Sequence, residues 1–180
     1  MLALSLALEP AAASTQLQPP GIAERFAADA FRATANGWLA RSALDIVVER
    51  WATDADLERL GALLCDEGPD AFVEALRALG PSGEVHEYGQ RPEVRRSWRE
   101  FDAAFDLEDG LGRRRIIIVA ADEDGGFWYV EMSPEPGGGP GRVAEAADVV
   151  FDRQTGDIAF EGLYAVATLE RVRPVPLVQR

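Results

Sequence analysis

A chain of 180 residues with 31 acidic and 18 basic side chains, net −13, has the size of one domain and can bury a core without metals or disulfides. Its 47% hydrophobic and 27% charged content excludes disorder over most of its length, and the acidic surplus weighs against nucleic acid and anionic lipid as partners. Every basic residue is arginine, which excludes Schiff-base chemistry on lysine, and the lone Cys65 excludes an intrachain disulfide or a multi-cysteine metal site.

Residues 1–13 open with the apolar run Met1 to Leu8, then Pro10 and small residues to Ala13. That order of apolar stretch, breaker and small residues predicts a signal peptide and export to the periplasm or medium, although the usual basic leader is missing. No later stretch approaches the eighteen apolar residues of a membrane span. Residues 14–24, with Pro19-Pro20-Gly21, read as a flexible lead-in.

One domain is expected over residues 25–173. Arg25 to Ala35 permits a strand, Asn36-Gly37 gives a turn signal, and Leu44, Ile46 and Val48 alternate with Asp45, Val47 and Glu49 as a second strand. Thr53 is a good N-cap, Asp54 and Asp56 favour the first turn of a helix, and Leu57, Leu60 and Leu64 share one face. Gly68 ends that helix and Pro69 opens another, which carries Phe72, Val73, Leu76 and Leu79 and stops at Gly80-Pro81. Both helices are expected to pack on a sheet.

From Glu84 the period becomes two. Glu100 to Leu107 reads as one half-buried strand, and Arg113 to Ala121, apolar on both faces at Ile116 to Val119, as a central one. Phe127 to Met132, Val143 to Phe151, Asp157 to Glu161 and Tyr164 to Val172 complete a meander. The Gly/Pro stretch 133–141 is expected to be a loop and residues 174–180 a frayed tail. The predicted class is α+β: a curved antiparallel sheet or partial barrel of about eight strands, with a pair of short helices inserted after the first hairpin.

Candidate chemistry is sparse. Asp122 to Gly126 lacks the ligand offsets of a calcium loop and reads as a hairpin turn. His86 shares its strand face with Glu84 alone, too few ligands for a metal, and no cofactor motif is present. Seven arginines lie between Arg91 and Arg115. Paired as neighbouring strands, these segments would form a basic rim with Arg96, Arg99, Arg113 and Arg115 beside Trp98 and Trp128, suited to an anionic small molecule or an acidic protein surface. The competing reading is internal pairing with the surplus acids. Most of Trp38, Trp51, Trp98, Trp128, Phe127 and Tyr129 are expected in or near the core, and a curved sheet lined by such residues also suits an apolar ligand.

Two segments, Ile46 to Leu60 and Thr155 to Val172, carry an Arg-Trp-x-Thr-Asp-Ala step from strand to helix and a Thr-Gly-x-Ile hairpin. On these the chain resembles a group of uncharacterised, predicted exported bacterial proteins over residues 25–173, with Ala52 where serine or threonine is usual. The resemblance implies export and a single domain, and no chemistry. The function expected from the sequence is a non-catalytic exported protein that binds a small ligand or protein partner. The alternatives are a hydrolase-like enzyme working with carboxylates, with His86 and Glu84 as its candidates, and a structural component of the envelope.

Overall fold

The computed structural model describes residues 24–33, 36, 39–89, 95–108, 111–152 and 157–176, without the side chains at 95, 96, 152 and 157. The expected signal peptide, most of the lead-in, Trp38 and the Thr-Gly turn at 155–156 lie outside them. Sheet dominates. Strands β1 (Glu24–Ala33) and β2 (Leu39–Val48) form the opening hairpin. Helices α1 (Asp54–Asp66) and α2 (Pro69–Ala78) follow, then β3 (Gly83–Tyr88), β4 (Arg95–Phe101), β5 (Ala103–Glu108), β6 (Arg114–Ala121), β7 (Phe127–Met132), β8 (Gly139–Ala146), β9 (Asp148–Asp152), β10 (Asp157–Glu161) and β11 (Tyr164–Val175). Nine strands form one antiparallel sheet in the order β4-β3-β2-β1-β11-β8-β7-β6-β5, while β9 and β10 pair only with each other.

The expected strand from Glu100 to Leu107 is two strands, and the break at Asp102 shapes the molecule. β4 and β5 are consecutive in the chain yet lie at opposite ends of the sheet order, so the sheet rolls until its two edges meet. Asp102 donates its N–H to Val119 O at 3.0 Å, and its Oδ2 accepts from the N–H of Ala121 at 2.8 Å. Ser82 donates its N–H to Phe101 O and its hydroxyl to Asp102 O, both at 2.8 Å. Across the same seam Arg99 Nη1 donates to Asp122 Oδ1 at 2.7 Å, with its guanidinium 5.4 Å from the Trp128 ring centre.

Rolling gives the sheet an inside and an outside, each with its own apolar set. Inside lie Phe26, Ala28 and Ala30 of β1, Leu44, Ile46 and Val48 of β2, Phe101, Ile116, Ile118, Met132 and Leu169. Each large side chain so removed from water stabilises the fold by about 1.5–3 kcal/mol. Outside, Ala103, Phe105, Val119, Phe127, Tyr129, Ala144 and Ala146 of β5–β8 pack beneath Leu60, Leu64, Phe72 and Leu76 of the helices. The two-faced apolarity of Ile116 to Val119 follows from this, since both faces of β6 are covered.

Arginine–carboxylate pairs stand at both ends of the interior. At one, the Arg114 fork reaches Glu24 and Asp106, 2.7 to 2.9 Å from both, and lies over the rings of Phe26 and Trp51. At the other, Arg32 donates to both oxygens of Glu87 at 3.0 and 2.9 Å, and Ser97 adds a bond at 3.2 Å.

Three further sequence expectations need correcting. Val143 to Phe151 is not continuous: the chain leaves the main sheet at Ala147, whose N–H is held by Glu161 O at 3.0 Å, and continues as the separate β9–β10 hairpin. The stretch 133–141 is a loop only to residue 138. Gly139 pairs with Val172, and Gly141 with Met132 and Leu169, where a Cβ would fall 1.8 Å from Ser133 O and 2.7 Å from Glu131 O. Glycine is therefore what lets β8 approach its neighbours. Finally, β11 runs to Val175, so Pro174 and Val175 pair with Phe26 and Arg25 instead of fraying.

Candidate functional site: a cavity outside the sheet

A cavity that could hold a small molecule lies outside the rolled sheet, while buried side chains cluster inside it. The cavity is partly open, about 1080 Å³ in volume, and lies between α1, the outer face of β5–β7 and the β9–β10 hairpin. Leu57, Gly61 and Cys65 recur every fourth residue on α1 and form one wall. Phe105, Leu107, Ile117 and Val119 form the floor, and Phe151, Ile158 and Phe160 of the hairpin the other wall. Phe160 sits 5.3 Å from Phe127 and 5.2 Å from Tyr129, ring centre to ring centre, which ties the hairpin to the sheet. At Gly61 a Cβ would come 3.2 Å from the Phe151 ring, so the missing side chain brings helix and hairpin close.

Three polar groups gather about Glu131. Arg115 and Arg142 line the cavity with Tyr129, and all three reach Glu131 behind them. Arg115 Nε donates to Glu131 Oε1 at 2.7 Å; Arg142 donates to Oε2 from Nε at 2.9 Å and from Nη2 at 2.6 Å; the Tyr129 hydroxyl adds a bond at 3.2 Å. Burial pushes the Glu131 carboxyl up, but the charge of Arg115 and the bonds from Arg142 outweigh it and hold the group below its ordinary value. Burial and the neighbouring Glu131 raise the Tyr129 hydroxyl, which stays protonated and able to donate. The carboxylates on the lining, Glu58, Asp66 and Glu108, are exposed to water.

This chain matches no protein-family model, no curated protein and no solved structure.

The residues singled out in the sequence scatter over this frame. The pairing expected for a basic rim is absent among the described residues: β4 pairs with β3 and β6 with β5 and β7, so the two arginine-rich segments are not hydrogen-bonded neighbours. The strands β4 and β6 approach each other across the seam, where Arg99 bonds Asp122. Arg99 and Trp128 do come together there, as a latch on the seam. Of the site candidates with described side chains, Arg115 lines the cavity. Arg113 is exposed just before β6, Trp98 is half exposed on the outer face of β4, and the Arg96 side chain lies outside the described residues. Arg99, Arg114 and Arg115 each meet a carboxylate, which is the internal pairing that competed with the rim.

His86 lies on the outer face of β3 with its Nε2 2.7 Å from Glu84 Oε1, opposite Asp45 and Trp98 in the ladders. Among the described residues no cluster of three His, Cys, Asp or Glu could hold a metal. In the same set, no helix is long and apolar enough to cross a membrane. Asp122 to Gly126 is the expected turn, closed by the bond from Asp122 N–H to Gly126 O at 2.8 Å, with Gly125 at φ +86°.

Leu57, Gly61, Tyr129, Arg142, Phe151, Ile158 and Phe160 were not legible as a site. One signal pointed towards them, the two-faced apolarity of β6, which requires a cover on its outer face. Nothing in the sequence said that the cover stands off and leaves a space.

Proposed function

We propose that the protein is a non-catalytic binding protein for an apolar small molecule, held between α1, the β9–β10 hairpin and the outer face of β5–β7. One observation carries this reading: a cavity of about 1080 Å³ lined mainly by Leu, Ile, Val and Phe side chains, with Arg115, Arg142 and Tyr129 gathered about Glu131 and the exposed Glu58, Asp66 and Glu108 elsewhere on the lining. Ligand sites have that construction, with volumes of roughly 300–1,000 Å³ and a small number of placed polar groups. Apolar walls of this extent gain free energy when a ligand displaces water from them. Export belongs to the proposal on the strength of the residue pattern over 1–13.

The test uses the neutral dye Nile red. Saturable binding of one dye per chain with a blue shift is expected, together with protection of Cys65 from alkylation by iodoacetamide, because that thiol lines the cavity. Gly61→Leu, which fills the space toward Phe151, is expected to lower dye affinity at least tenfold while the circular dichroism spectrum is retained. Unsaturable binding that leaves Cys65 reactive would overturn the proposal, whether or not the variant folds.

A further inference from the structure

Resting on that reading, we infer that the cavity selects a single-chain amphiphile ending in a carboxylate, whose head group is received by Arg115 and Arg142 and whose chain lies along Ile117, Phe151 and Phe160. Two guanidinium groups border the apolar space, and one carboxylate, Glu131, stands behind them. The cluster therefore carries one surplus positive charge. Each guanidinium has five N–H donors, and Glu131 takes one from Arg115 and two from Arg142. Both groups line the cavity and remain 40% and 47% exposed, so they are accessible to a second acceptor.

The cluster is also held in place before any ligand arrives. Arg142 lies over the Tyr129 ring at 5.9 Å, and Glu131 engages Nε of Arg115 and both Nε and Nη2 of Arg142, so a second carboxylate would draw on the remaining terminal N–H groups. An arginine held in this way loses less side-chain freedom on binding, which favours affinity. An alcohol of the same chain length would bury the same apolar surface and gain no charge-assisted bond. The Glu58, Asp66 and Glu108 carboxylates on the lining are exposed, so water and salt screen their repulsion of the head group.

Calorimetric titration of the full chain with dodecanoate and with dodecan-1-ol tests this. The wild type is expected to bind dodecanoate at least tenfold more tightly than the alcohol. Arg115→Met and Arg142→Met are each expected to bring dodecanoate close to the affinity of the alcohol while alcohol binding persists, which also shows that the variant is folded. Glu131→Gln removes the internal competitor and is expected to tighten dodecanoate several-fold. Equal affinities in the wild type, or a preference that survives both arginine substitutions, would overturn the head-group inference and leave the cavity reading standing. Failure of both probes to bind or to protect Cys65 would remove both readings together.

Discussion

At the scale of single residues, the arginines explain how so acidic a chain folds. Asp29, Glu87 and Glu131 each sit against at least one guanidinium, so part of the −13 surplus is neutralised locally. Glu87 is the most enclosed of these, with 7% of its surface exposed. Burial pushes its carboxyl up, and bonds from Arg32, Ser42 and Ser97 outweigh that push and leave it below the ordinary range. Asp29, Asp56 and Glu131 are lowered as well. A carboxyl whose folded pKa is depressed contributes stability above its unfolded value, about 4.3 for glutamate, and loses it as pH falls through the folded value. The urea midpoint is therefore expected to be level above about pH 5 and to drop below about pH 4, with a shallower drop in Glu87→Gln. A midpoint that rises on acidification would contradict this account.

At the scale of elements, the strand-to-helix step shows how much local chemistry can specify. Thr53 accepts the Asp56 N–H at 3.2 Å, while Asp56 Oδ2 takes the Thr53 N–H at 2.9 Å and its hydroxyl at 2.8 Å, a reciprocal capping box. The cap sets where α1 begins, and with it the phase that turns Leu57, Gly61 and Cys65 toward the cavity and Leu60 and Leu64 toward the sheet. Thr53→Ala is expected to cost about 1 kcal/mol in urea unfolding. The helix-to-helix step is equally local. Gly68, at φ +94°, donates its N–H to Leu63 O at 3.1 Å and hands the chain to Pro69 at the first position of α2. These features were legible because capping and glycine turns depend on residues three to five apart.

At the scale of the whole molecule, closure rests on Asp102. Its backbone N–H, carbonyl and carboxylate hold the ends of β4 and β5 to Ser82, Val119 and Ala121. Asp102→Ala leaves the partly buried Ala121 N–H without its acceptor, and a loss of about 1–3 kcal/mol is expected. Hydrogen exchange is expected to quicken most at Ala121 and the adjoining β4–β5 backbone; uniform quickening across the sheet would mean that the seam is not a separate unit. The seam also explains why Glu100 to Leu107 misled as a sequence. The alternation runs on unbroken in composition, but Ala104 enters the interior set while Ala103 and Phe105 join the outer one. A bend that moves a strand from one edge to the other leaves no trace in a period-two pattern.

Sequence alone determined the antiparallel character, the hairpin followed by two helices, the covered central strand and the poverty of nucleophiles and metal ligands, since these depend on periodicity, neighbouring residues and inventory. Only the tertiary structure decided where the sheet closes, that β9–β10 leaves it, and that buried side chains cluster inside while the open cavity lies outside. It also separated the clustered arginines and brought Arg115 beside Arg142, twenty-seven positions away, on the lining of an apolar space. The physical reason is common to all of these. Strand pairing and the stand-off between a helix and a sheet are set by contacts among distant residues, and their energies do not depend on nearness along the chain.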